Sequence, residues 1–106
     1  METDNQLLWV LDGHTPIPCA DPLVWGRWFE TADRTVARDK IGAVVVWTVF
    51  LGNNQRLGKG VPILFETMVF CDDKPQEQYG KRYCTWDDAL EGHQAIMVQV
   101  ETDKSN

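Results

Sequence analysis

The chain is poor in the features that would make it a nucleic-acid binder, a membrane span or a covalent catalyst. Ten Lys and Arg stand against sixteen Asp and Glu, a formal net charge of −6. Contacts to a phosphate backbone need cations, so no direct nucleic-acid partner is expected. No apolar stretch approaches the ~20 residues needed to cross a bilayer, so no membrane partner is expected either. The three cysteines, Cys19, Cys71 and Cys84, are odd in number and form no C-x-x-C pair. Met1 to Gln6 are polar rather than basic and then apolar, which reads as a cytoplasmic chain in a reducing compartment. The single serine, Ser105, sits in the tail, and no thiol neighbours a histidine in a recognised nucleophile setting. The Gly-Lys of GNNQRLGKG joins two apolar runs and opens no helix, so it is not a phosphate cradle. No cofactor is implied.

What is present is enough for one core. The 106 residues are 43% hydrophobic and 25% charged, with five tryptophans to supply buried area. We read residues 7–101 as a single domain, with 1–6 and 102–106 as flexible ends. Leu7 to Leu11 is a short apolar run stopped by Asp12-Gly13, which predicts a strand. Asp21-Pro22 is a helix start, with the carboxylate capping orphan amides. Trp25, Trp28, Phe29, Ala32 and Val36 then recur at steps of three and four, which predicts a helix to about Asp39 with Gly42 as its stop. AVVVWTVFL (43–51) and VPILFETMVF (61–70) predict an antiparallel hairpin with a long loop. Thr85-Trp86-Asp87-Asp88 begins a second helix, which the stripe Trp86, Ala89, Leu90, His93, Ile96, Met97 and Val100 carries to about Glu101. The order β-α-β-β-α implies an α+β two-layer sandwich: a three-stranded sheet with two helices on one face. If the first two strands share that sheet, a right-handed crossover makes them parallel.

The hairpin carries the most informative feature. Val44, Val46, Thr48 and Phe50 alternate with Val45, Trp47, Val49 and Leu51, and neither face is polar. The partner strand sets Ile63, Phe65 and Val69 against Leu64, Glu66, Met68 and Phe70. Helices on one side leave the other apolar, to be covered by loops, a second subunit or a partner, and the few loop residues that remain favour a protein partner or a homodimer docked on Val45, Trp47, Val49, Leu51, Glu66 and Met68.

Catalytic candidates are few: Asp12, His14 and Glu66. An acid and an imidazole two residues apart at a strand end form an orienting pair for proton transfer, or else Asp12-Gly13 is only a turn that leads into the capped helix. Glu66, the one ionised residue in a strongly apolar run, either faces solvent or pairs with an arginine, for which Arg34, Arg38 and Arg56 are the candidates. His93, on the apolar stripe, reads as a core histidine. His14, Cys19, Cys71, Cys84 and His93 have no short paired spacing that would pre-form two ligands, so no metal site is expected.

Five blocks in order, VLDGHTPIPC, WGRWFETADRTVA, TVFLGNNQRLG, PILFETMVF and YCTWDDALEGH, resemble a family of small tailed-phage and prophage proteins of no established activity. The likeness runs from about Trp9 to His93. Relatives often carry a histidine where this chain has Gln55, a serine where it has Trp47, and glycines where it has Cys71-Asp72-Asp73. The resemblance implies a phage accessory protein in the bacterial cytoplasm. With the composition it leads to a non-enzymatic protein that covers a surface of another protein, such as a component of a host defence system. The alternatives are a small enzyme or ligand-binding protein with a pocket around Asp12, His14 and Glu66, and a self-associating virion or assembly component.

Overall fold

Three tight reversals set the topology. Asp12 pairs with Thr15 and Ile41 with Val44, so Gly13-His14 and Gly42-Ala43 are two-residue hairpin turns. Gly13 has φ +64° and Gly42 φ +61°, the glycine-first pattern that matches the twist of the flanking strands. Cys71 pairs with Lys74 across Asp72-Asp73, and both aspartates are left-handed, at φ +52° and +66°. Asp tolerates that region better than most residues because its short carboxylate can bond locally.

The structure, a computed structural model, describes residues 6–105. In chain order it comprises β1 (Trp9–Asp12), β2 (Thr15–Pro18), α1 (Pro22–Thr31), β3 (Thr35–Ile41), β4 (Val44–Phe50), β5 (Phe65–Cys71), β6 (Lys74–Pro75), a single 3₁₀ turn (Glu77–Tyr79), β7 (Lys81–Tyr83) and α2 (Trp86–Lys104). Among the described residues β1 and β2 form a separate ribbon, and β3-β4-β5-β6 is an antiparallel sheet with β7 also paired to β5. The fold is therefore α+β with two helices, but the three-stranded sheet is corrected to five strands plus a two-stranded ribbon. Residues 1–5 and 106 of the ends read as flexible lie outside the described residues.

The longest of the unexpected strands, β3, was hidden in the expected long helix. Asp21 does cap α1, accepting from Leu23 N–H at 2.9 Å, but α1 ends at Thr31 and Ala32 is its C-cap. Asp33 Oδ1 then accepts from Thr35 N–H at 3.0 Å and turns the chain into β3. Thr35 and Val36 are β-branched, and pairing with β4 outweighs their fit to the helical stripe. A register shift between Thr35 and Ala37 leaves Val36 as the extra residue of a bulge, packed against the aromatic part of the core. Gly42 consequently closes a hairpin rather than a helix. β1 pairs with β2 and not with the main sheet, so no parallel pair arises.

Strand alternation divides the main sheet into two faces. One presents Val46, Thr48, Phe50, Phe65, Thr67 and Val69, all buried. Over it lies α2, capped by Thr85 accepting from Asp88 N–H at 3.0 Å and burying Ala89, His93, Ile96 and Val100. This helix runs three residues beyond the expected end. The core has an aliphatic part, Val46, Val69, Ile96 and Val100, and an aromatic part, Phe50, Leu64, Phe65 and Ala89. Trp9, Leu11, Trp28 and Trp86 pack on the second part, which seats β1 and α1 on the same side as α2. Each fully buried phenylalanine contributes roughly 1.5–3 kcal/mol of transfer free energy.

Candidate interaction face and the polar chain beneath it

The opposite face follows from register. Trp47 lies beside Met68 and Arg38, Val45 beside Phe70 and Lys40, and Val49 beside Glu66 and Thr35. Val49 is only 7% exposed and so is sheltered by its own chain. Val45, Trp47, Leu51, Met68 and Phe70 are half-buried, and none belongs to either part of the core. The Trp47 indole N–H donates to Thr35 Oγ1 at 3.1 Å, while the Arg38 guanidinium stands 5.5 Å from the indole ring. Trp47 is thereby held in place with part of its surface uncovered.

Glu66 is half-buried on this face and pairs across the strands with Arg82, which stands opposite it in register, at 3.7 Å. The arginines considered from sequence are engaged elsewhere. Arg34 donates to Phe50 O at 2.8 Å and stacks 3.9 Å from the Phe29 ring, and burial there lowers its pKa. Arg38 stands by Trp47, and Arg56 donates to Val61 O. Beside Glu66, a groove of about 400 Å³ runs between β6 and β7 over Met68, Phe70 and Pro75 and is bounded by Gln76 and Glu77.

Asp12, the last residue of β1, and His14, in the β1–β2 turn, lie away from this face. The His14 ring stacks on Trp86 with centroids 3.8 Å apart and planes within 5°. Among the described residues no hydrogen bond or ion pair joins Asp12, His14 and Glu66 to one another. Cys19, Cys71 and Cys84 are free thiols, and no group of three His, Cys, Asp or Glu side chains among the described residues is placed to hold a metal.

The strongest polar feature lies under α2. His93 is fully buried, with Nε2 at 2.8 Å from Asp39 Oδ2 and Nδ1 at 2.7 Å from Thr48 Oγ1. Thr48 Oγ1 is 2.5 Å from Thr67 Oγ1, which is 3.1 Å from Tyr83 Oη. The proton count has one solution for a neutral imidazole. The Asp39 carboxylate only accepts, so Nε2 carries the hydrogen; Tyr83 then donates to Thr67, Thr67 to Thr48, and Thr48 to Nδ1. Burial raises the Tyr83 pKa, partly opposed by its bond to Thr67, which keeps the phenol protonated and able to donate. Carboxylate, imidazole and hydroxyl thus stand in the order of a nucleophile triad. Thr48 is fully buried and both its neighbours are occupied, so no substrate can reach its oxygen.

His93 was legible as a core histidine. Asp39, Thr48, Thr67 and Tyr83 were not singled out, although Thr48 and Thr67, polar positions on inward faces of apolar strands, are a signal that such a chain exists. Gly92 makes the approach of Tyr83 possible: a Cβ there would lie 2.2 Å from the Tyr83 ring.

The geometry defines an α+β sandwich with one closed face and one open face. No family model, curated protein or solved structure matches the chain.

Proposed function

We propose that this chain is a small phage or prophage accessory protein that acts without catalysis, by covering a surface of another protein with the open face of its sheet. The observation that carries the reading is the row Val45, Trp47, Met68 and Phe70, half-buried on a face that neither helix covers. A contiguous apolar row left partly accessible on a small domain favours docking, and Trp, Met and Arg, here Trp47, Met68 and Arg38, are residue types enriched at the centres of interfaces. The five sequence blocks support the phage origin, and a component of a bacterial defence system is the partner class which that origin implies. A second copy of the chain is the competing occupant.

A photocrosslinking amino acid placed at Met68 or Val45, and as a control at exposed Gln94 on α2, tests this in cells expressing the protein. Adducts with one protein of constant mass from both sheet positions and not from Gln94 are expected. Adducts at twice the mass of the chain would assign the face to a homodimer. Equal labelling from all three positions, with a monomer in sedimentation, would remove the reading.

A further inference from the structure

We infer that the groove beside β5 receives a basic side chain of the docked partner, an arginine in particular; this rests on the docking reading and specifies the chemistry of the partner. The groove floor is apolar, formed by Met68, Phe70 and Pro75, and its lining holds two carboxylates, Glu66 and Glu77, and no cation. Among the described residues neither carboxylate accepts a hydrogen bond. Glu66 has only Arg82, at 3.7 Å, beyond hydrogen-bond reach, although its side chain is just 26% exposed. A partly desolvated carboxylate without donors is an open acceptor.

An arginine matches both parts of the groove. Its methylene stem can lie along apolar surface while the guanidinium presents five donors in a plane to carboxylate oxygens. Arg82 is half-exposed, with 51% of its side chain accessible, so it can swing away from Glu66 at little cost. The other cations of this face, Arg38 and Lys40, sit on β3, two strands away from the groove. The chain's net charge of −6 adds long-range attraction for a basic partner surface and makes the encounter sensitive to salt.

The test titrates three peptides, acetyl-Leu-Arg-Leu-Arg-Leu-amide and its Arg→Gln and Arg→Glu counterparts, into isotope-labelled full-length protein. The Met68 methyl and Trp47 indole N–H signals are followed by NMR. The arginine peptide should move the Met68 methyl at concentrations about tenfold below those the glutamine peptide needs, a difference of ~1.4 kcal/mol. The double variant E66Q/E77Q, checked for native fold by circular dichroism, should abolish that preference, and added salt should weaken it. If the glutamine or glutamate peptide binds as well, or if none of the three moves Met68, the inference is wrong. The crosslinking result from Met68 and Val45 then decides the docking reading independently.

Discussion

The two faces of the main sheet are built from the same strands, and alternate residues of β4 and β5 divide them. Under α2, Val46, Thr48, Phe50, Phe65, Thr67 and Val69 are buried and every hydroxyl has a partner. On the reverse, Val45, Trp47, Met68 and Phe70 stay half-buried beside a weakly paired carboxylate. The contrast separates residues that hold the fold from residues the fold can spare. Stability should concentrate on the closed face and binding on the open one.

Truncation of Phe65, which packs edge-on to Phe50 at 5.3 Å and Trp86 at 6.3 Å, should cost most. Phe65→Ala is expected to lower the unfolding free energy in urea by about 3–5 kcal/mol. A loss as small as that of an open-face variant would break the comparison.

Gly92→Ala comes next. Alanine favours a helix by about 1 kcal/mol over glycine, but here its methyl meets the Tyr83 ring at 2.2 Å. A net loss of about 1–3 kcal/mol is expected from the forced shift. Combining it with Tyr83→Ala should cost less than the sum of the two single changes.

Thr48→Val keeps the shape and removes the middle of the polar chain, leaving His93 Nδ1 and the Thr67 hydroxyl each short of a partner. About 1–3 kcal/mol should be lost, and the imidazole nitrogen signals of His93 should change while those of exposed His14 do not.

Alkaline titration sharpens the same contrast. Tyr79 and Tyr83 are the two tyrosines, and both phenols have pKa values raised above 10.0: Tyr79 by its bond to Asp103, and Tyr83 by burial. The folded chain therefore holds these protons more tightly than the unfolded chain. The stability this contributes is complete below the ordinary phenol pKa of about 10 and is lost as pH climbs through the raised folded values. Urea unfolding at about pH 9 and about pH 11 should show that loss, and Tyr83→Phe should flatten it.

The smallest effect belongs to the open face. Met68→Gln and Arg82→Ala should each change stability by about 1 kcal/mol or less. Met68→Gln should nonetheless weaken partner crosslinking from Val45.

Legibility from sequence followed the same divide. The two faces of β4 and β5 were readable from strand periodicity alone, since neither is polar, and the capped starts of both helices were readable from Asp21 and Thr85. The boundary at Thr31 was not. Ala32 and Val36 fit a helical stripe as well as a strand, and only pairing with β4 decides between them. The Gly13, Gly42 and Asp72-Asp73 turns were present in the sequence. Their flanks, however, were read as strand into loop, helix into loop and strand end, so three hairpins went unrecognised. Long-range chemistry was least visible: Asp39 and His93 are 54 residues apart, and no local pattern brings them together. Arg82 escaped notice as the partner of Glu66 because β7 is only three residues long.

The carbonyl of Gly52 has a consequence of its own. It accepts from the Trp9 amide at 2.9 Å and from the Trp25 indole at 2.9 Å, while Asn54 N–H reaches Leu7 O at 2.8 Å. These bonds tie β1 and α1 to the segment that follows β4, and α1 buries no residue of its own. The β1–β2 ribbon and α1 should therefore detach as one cooperative block before the sheet melts, exchanging their amide hydrogens at a common rate faster than those of β4 and β5.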